Sequence, residues 1–181
     1  MSEGEVRRPG PLAAAKGISY RLETEEDVPF LGALYASTRA EEVAVTGWPP
    51  EAQRAFLAQQ FDAQRRHYRA HYPDTEWLIV EHGGRAVGRL YLEEWPSQMR
   101  VIDISLLPEC RRLGLGGAML GDVIAEAESR GKPVSIYVER NNPAMRLYER
   151  LGFVQIEDQG VYYLMRREAG GTRRTRTGKS S

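Results

Sequence analysis

A chain of 181 residues is long enough for one domain with a substantial core, and its 25 basic and 25 acidic side chains cancel. No run of about 18 apolar residues occurs, so no transmembrane helix is expected, and Met1 to Gly17 lacks the apolar stretch of a signal peptide. With Cys110 as the only cysteine no internal disulfide can form, in keeping with a cytoplasmic protein.

The zero net charge hides a split. Segments 1–16 and 166–181 hold nine Lys/Arg against three Glu, a net of +6, which leaves −6 on residues 17–165. An acidic body attracts cations and repels nucleic acid. Both ends read as unstructured: 1–16 as a disordered N-terminal segment, 168–181 as a basic tail rich in Gly, Thr and Ser. Residues 17–167 are the expected folded domain.

Within that domain Ile18 to Leu22 reads as a short strand, and Thr24-Glu25-Glu26-Asp27 supplies the chemistry of a helix start. Val28 to Arg39 has helical apolar spacing. Pro50 suits a first turn, and Glu51 to Tyr72 is a long amphipathic helix whose stripe includes Phe56, Leu57, Phe61 and Tyr68. His82-Gly83-Gly84 joins strands Glu76 to Glu81 and Arg85 to Trp95 as a hairpin, and Gln98 to Leu107 is the next strand. Gly114 to Arg130 is a helix stopped by Gly131. Lys132 to Val138 is strand, Pro143 to Leu151 helix, and Phe153 to Glu157 with Val161 to Met165 a final hairpin. This order, β-α-α-β-β-β-α-β-α-β-β, describes an α/β protein of the α+β kind: a mixed sheet with helices on its faces.

The strand that ends at Leu107 runs through Pro108 into a basic, glycine-rich turn and then a helix. The first amides of such a helix lack intrahelical partners, and its positive dipole end favours an anion. Spacing separates the phosphate motifs. A dinucleotide fingerprint would need glycine at Met119, and a P-loop ending at Gly178-Lys179-Ser180 would need glycine at Arg173. What remains is R-x-x-G-x-G, as Arg111, Gly114 and Gly116, with Gly117 alongside.

One strand downstream, Asn141 to Phe153 reads N-x-x-A-x-x-L-Y-E-x-x-G-F. Together the two motifs resemble the GNAT superfamily of N-acetyltransferases, and Ile18 to Asp27 resembles that family's first strand and turn. The resemblance spans roughly residues 17 to 167. It implies a GNAT-like fold: a central, mostly antiparallel sheet with a splayed parallel strand pair and helices on both faces. It implies acetyl-CoA as co-substrate and direct acetyl transfer to an amine, with no metal.

By position, the resemblance has Ile104 and Leu106 present backbone groups to the acetyl and pantetheine portion. Arg111, Arg112, Leu113, Gly114, Leu115, Gly116 and Gly117 would wrap the pyrophosphate, and the Asn141 amide would contact the cofactor arm. Tyr148 is the candidate acid for the leaving thiolate, although by spacing alone it also reads as a core aromatic. An acid inside an apolar strand is costly without a task. Asp103 is therefore the candidate base, with Glu93, Glu94 and Glu139 as rivals. Alternation puts Asp103 and Ser105 on one face and Ile102, Ile104 and Leu106 on the other.

Other features read more plainly. Cys110 lacks an evident base partner, and His67 with His71 lacks a third zinc ligand. Trp48, Trp77 and Trp95 read as core or as an acceptor pocket. The expected acceptor is a small-molecule primary amine, with a peptide amine or a non-catalytic acyl-CoA-binding module as alternatives. The expected partners include neither membrane nor nucleic acid, and the final hairpin or an edge strand would serve a homodimer.

Overall fold

The computed structural model describes residues 5–170. Most of the basic tail, residues 171–181, lies outside the described residues. The strands are β1 (Ile18–Leu22), β2 (Glu76–His82), β3 (Arg85–Glu94), β4 (Met99–Leu106), β5 (Val134–Glu139), β6 (Val154–Asp158) and β7 (Tyr162–Arg167). They form one sheet in the order β1-β2-β3-β4-β5-β7-β6, antiparallel throughout except for the pair β4–β5. The connection between those two strands runs through α4 (Leu115–Ser129), the helical crossover that a parallel pair requires.

Helices cover both faces. On one, α4 buries Leu115, Met119, Leu120, Val123, Ile124 and Ala127 against Leu90, Leu92, Val101 and Ile136. The short α5 (Met145–Arg150) adds Tyr148 to the same core. On the other face α2 (Val28–Ala44) and α3 (Pro50–His71) close a smaller cluster of Leu31, Tyr35, Phe61 and Ile79. Of the expected α3 stripe only Phe61 is buried. Phe56 is exposed and packs edge-on to Trp48.

The N-terminal segment departs from the expectation of disorder. Residues Pro11–Ala15 form a helix, α1, that packs on α4 and buries Ala13 completely. Asp122 of α4 accepts hydrogen bonds from the backbone N–H groups of Leu12 (3.1 Å) and Ala13 (2.8 Å), so the cap of α1 comes from another helix. Contact is close: a Cβ on Gly121 would lie 2.6 Å from Leu12, and one on Gly10 would lie 2.5 Å from the Asp122 carboxyl. Arg7 pairs with Glu76 (2.8 Å) and with Glu126. A five-residue helix capped from 110 residues away has no local signature, so its composition reads as loop.

Candidate active site

Strands β4 and β5 pair at only three positions, Met99↔Val134, Arg100↔Ser135 and Val101↔Ile136. Beyond Val101 they part, although β3 follows β4 up to Gly88↔Leu106 and β7 follows β5 up to Glu139↔Tyr162. The cause lies in the register with β3. Tyr91 pairs with Asp103 and Leu92 with Val101, leaving Ile102 as an extra residue in β4. Such a bulge bends its strand, and it falls where pairing with β5 stops. The bent segment presses on β3, where a Cβ on Gly88 would lie 2.2 Å from the Ser105 carbonyl oxygen.

The parting leaves main-chain groups on the inner edge of β4. The N–H of Leu107 donates to Val87 of β3. By alternation Asp103 and Ser105 direct their backbone groups the same way, and Ile104 and Leu106 direct theirs into the gap. Side chains obey the expected parity. Ile104 and Leu106 pack against the α4-side core, and Asp103 and Ser105 face α3. Leu106 has one partner on the open side, since its carbonyl accepts a hydrogen bond from Arg111 Nε at 3.2 Å.

The gap opens onto the glycine turn. After a 3₁₀ turn at Pro108–Cys110 the chain passes Arg112 (φ 62°) and Gly114 (φ 76°) in the left-handed region and enters α4. Arg112 is the sole non-glycine residue with positive φ among the described residues. Arg111 N–H donates to Pro108 and Ala118 N–H to Gly114, but the six amides between, Arg112 to Gly117, have no acceptor among the described residues. Six free donors at the positive end of a 15-residue helix form an anion cradle. Leu147 of α5 lies against this turn, 3.5 Å from where a Cβ on Gly117 would stand.

That contact seats α5, the helix that carries Tyr148, against the turn. The N–H of Phe153 donates to the Tyr148 carbonyl and that of Gly152 to Glu149, with Gly152 at φ 89°. This is a Schellman ending, and it accounts for the Y-x-x-x-G-F spacing. The Tyr148 ring is 4 % exposed, yet its hydroxyl has no hydrogen-bond partner among the described residues and is not sealed from solvent. Burial pushes the phenol above its ordinary value, and the Asp103 charge adds to the push. Nearby, Asn142 is occupied in the turn into α5, its Oδ1 accepting from Ala144 N–H at 2.8 Å. The exposed Asn141 side chain makes no hydrogen bond among the described residues.

Asp103 does not sit alone. Arg89 grips both its oxygens (3.1 and 2.9 Å), Ser105 Oγ donates at 2.7 Å, and the Tyr68 hydroxyl of α3 donates at 3.0 Å. Burial would raise this carboxyl. The charge of Arg89, with the hydrogen bonds from Arg89, Ser105 and Tyr68, outweighs burial and holds it below the usual carboxylate range. A carboxylate in that state is a poor fit to the proton-acceptor role expected for it. The rivals are also engaged: Glu93 accepts from Thr75 and Trp95, Glu94 pairs with Lys132 and Arg130, and Glu139 pairs with Arg39.

Arg89 and Tyr68 escaped the sequence reading as site residues. The signal for Arg89 is an arginine within an apolar strand, flanked by Gly88 and Leu90, whereas Tyr68 reads only as part of the α3 stripe. The remaining candidates lie apart from the turn's chemistry. Cys110 is buried, and the His67 and His71 rings stack 4.1 Å apart with no third ligand. Trp77 packs against Tyr91 and Arg69, and Trp95 against Arg100. No group of three metal-ligating side chains occurs among the described residues. No helix among them is long and apolar enough to cross a membrane.

A splayed parallel pair that ends in free amides is the arrangement the resemblance implied, and a family model, the Acetyltransferase (GNAT) family, matches residues 34–153. The chain belongs to the GNAT family. An N-alpha-acetyltransferase of Sulfurisphaera tokodaii is 28 % identical over an alignment of 105 positions that covers 50 % of this chain and 63 % of that protein. A mycothiol acetyltransferase of Thermomonospora curvata is 33 % identical over 88 residues, 47 % of this chain and 30 % of the relative. The chain thus spans less than two thirds of either curated relative. Among solved structures, the PaiA N-acetyltransferase of Thermoplasma acidophilum in complex with coenzyme A superposes with a TM-score of 0.61 at 16 % identity, covering 83 % of this chain and 98 % of that one. The ribosomal-protein-S18-alanine N-acetyltransferase of Escherichia coli gives 0.54 at 18 % identity, over 87 % and 97 %. At such identities these structures establish a shared GNAT fold.

Proposed function

We propose that this GNAT protein transfers an acetyl group from acetyl-CoA directly to a primary amine of a small molecule in the cytoplasm. The observation that carries the reading is the run of six free amides, Arg112 to Gly117, at the open end of the β4–β5 gap. A diphosphate satisfies those donors, and the backbone edge at Ile104 and Leu106, where Arg111 engages the Leu106 carbonyl alone, suits the amide-bearing pantetheine arm, with the Asn141 amide beside it. The exposed Arg111 and Arg112 side chains add charge.

Acetyl-CoA supplies an activated thioester carbonyl, which a neutral amine converts to an amide with release of the thiol. The chain's own part is to position and to move protons. Tyr148, kept protonated by burial, donates its hydroxyl proton to the departing sulfur, while the attacking nitrogen gives up one proton to solvent as the amide forms and solvent reprotonates the phenolate. Asp103 acts as a positioning residue. Its oxygens fix the hydroxyls of Tyr68 and Ser105, and its charge balances that of the buried Arg89.

A peptide α-amino group is the second reading, favoured by the match to an N-alpha-acetyltransferase. A homodimer would pair through β6, whose five residues are all exposed, Val154 and Ile156 among them. Thiol release from acetyl-CoA, followed against a panel of amines and short peptides, tests the reading. Turnover with small amines supports it, and absence of thiol release with every amine and peptide refutes it.

A further inference from the structure

The N-terminal segment ends at the anion cradle. After α1, Lys16 N–H donates to Ala13 and Gly17 N–H to Ala14, with Gly17 in the left-handed region at φ 75°. This turn directs the Lys16 side chain at the glycine turn before α4: a Cβ on Gly114 would lie 3.3 Å from Lys16 Nζ and 3.6 Å from Cε. Gly114 stands within the six free amides. Every other basic residue of the described N-terminal segment is ion-paired, Arg7 with Glu76 and Glu126, Arg8 with Glu5. Lys16 has no carboxylate partner among the described residues.

An exposed ammonium beside a cradle of free amides adds a positive charge to whatever anion the amides hold. We propose that Lys16 is a cofactor-binding residue whose ammonium contacts the diphosphate of acetyl-CoA, so that the docked N-terminal helix forms one wall of the cofactor site. This rests on the reading of the glycine turn as a diphosphate site. The helix lies outside the segment matched to the family, residues 34–153. Its delivery depends on the Asp122 cap and on the close seats at Gly10 and Gly121.

The test compares wild type, Lys16→Met and Lys16→Arg. Methionine keeps an unbranched stem and removes the charge, at an exposed position where folding is not at risk. Calorimetry with coenzyme A should show about a three- to tenfold weaker Kd for Lys16→Met, and a shallower dependence of log Kd on log salt. The KM for acetyl-CoA should rise by the same factor with kcat held, and Lys16→Arg should restore both. With S-acetylpantetheine, which lacks the diphosphate, Lys16→Met and wild type should share one KM. An equal loss with that truncated donor would make Lys16 merely structural and overturn the proposal. Wild-type binding of coenzyme A together with an unchanged Lys16→Met affinity overturns the proposal alone, and no binding by wild type overturns it together with the diphosphate reading.

Discussion

Phe153 stands edge-on to Tyr148, ring centroids 5.8 Å apart, and its amide closes the helix that carries the tyrosine. One residue therefore fixes both the backbone and the ring of the candidate acid. Tyr148→Phe keeps that packing and removes only the hydroxyl. Turnover should fall about 10²-fold or more while the Kd for coenzyme A stays within about twofold. Equal turnover in wild type and variant would end the acid role.

The pH profile offers an independent check on the same residue. Because burial disfavours the phenolate, Tyr148 stays protonated beyond the ordinary tyrosine value, so its deprotonation should not limit kcat up to about pH 10. An alkaline limb near about pH 8–9 that vanishes in Tyr148→Phe would contradict this.

Gly114 combines a positive φ with a place amid the free amides. Gly114→Glu adds backbone strain and a negative charge where an anion should sit. Coenzyme A affinity should fall at least about 100-fold, with the far-ultraviolet circular dichroism unchanged. Unaltered affinity in a folded variant would remove the diphosphate assignment.

Asp103→Asn separates positioning from proton acceptance. It strips the charge that balances Arg89, which is only 4 % exposed, and should cost about 3 kcal/mol in urea unfolding. The acid limb of the pH–rate profile should keep its midpoint, because a carboxylate held below the usual range is already ionised there. Loss of that limb would restore Asp103 as the base.

Acid should unfold the protein partly through Asp27, which Arg21 and the Thr24 capping box hold at about 2. A depressed folded value means that this contribution is whole above the ordinary 3.8 and disappears as pH falls toward 2. Arg21 is 38 % exposed, so screening reduces the contribution to about 1 kcal/mol. Asp27→Asn should lower stability by that amount at neutral pH and flatten the fall between about pH 4 and 2. An identical acid transition in wild type and variant would refute the assignment.

Much of this was legible in the residues. The element order followed from periodicity and turn chemistry, and the two glycine motifs marked the segments that meet at Leu147 and Gly117. What stayed hidden depends on long-range partners. The cap of α1 comes from Asp122, the neutraliser of Asp103 comes from β3, and the bulge at Ile102 is visible only in the pairing of β4 with β3. Alternation correctly separated Asp103 from Ile104 because both lie beyond the bulge. It would have misplaced Val101, which faces the α4-side core.

That supernumerary residue has a consequence for how the groove would be lost. Excising Ile102 would leave Val101 and Asp103 on their present sides of the sheet, since the pairing with Leu92 and Tyr91 already skips it. The core would survive, but a straightened β4 would be free to zip onto β5 along its whole length, turning a ligand-accepting fold into an inert one by a single deletion.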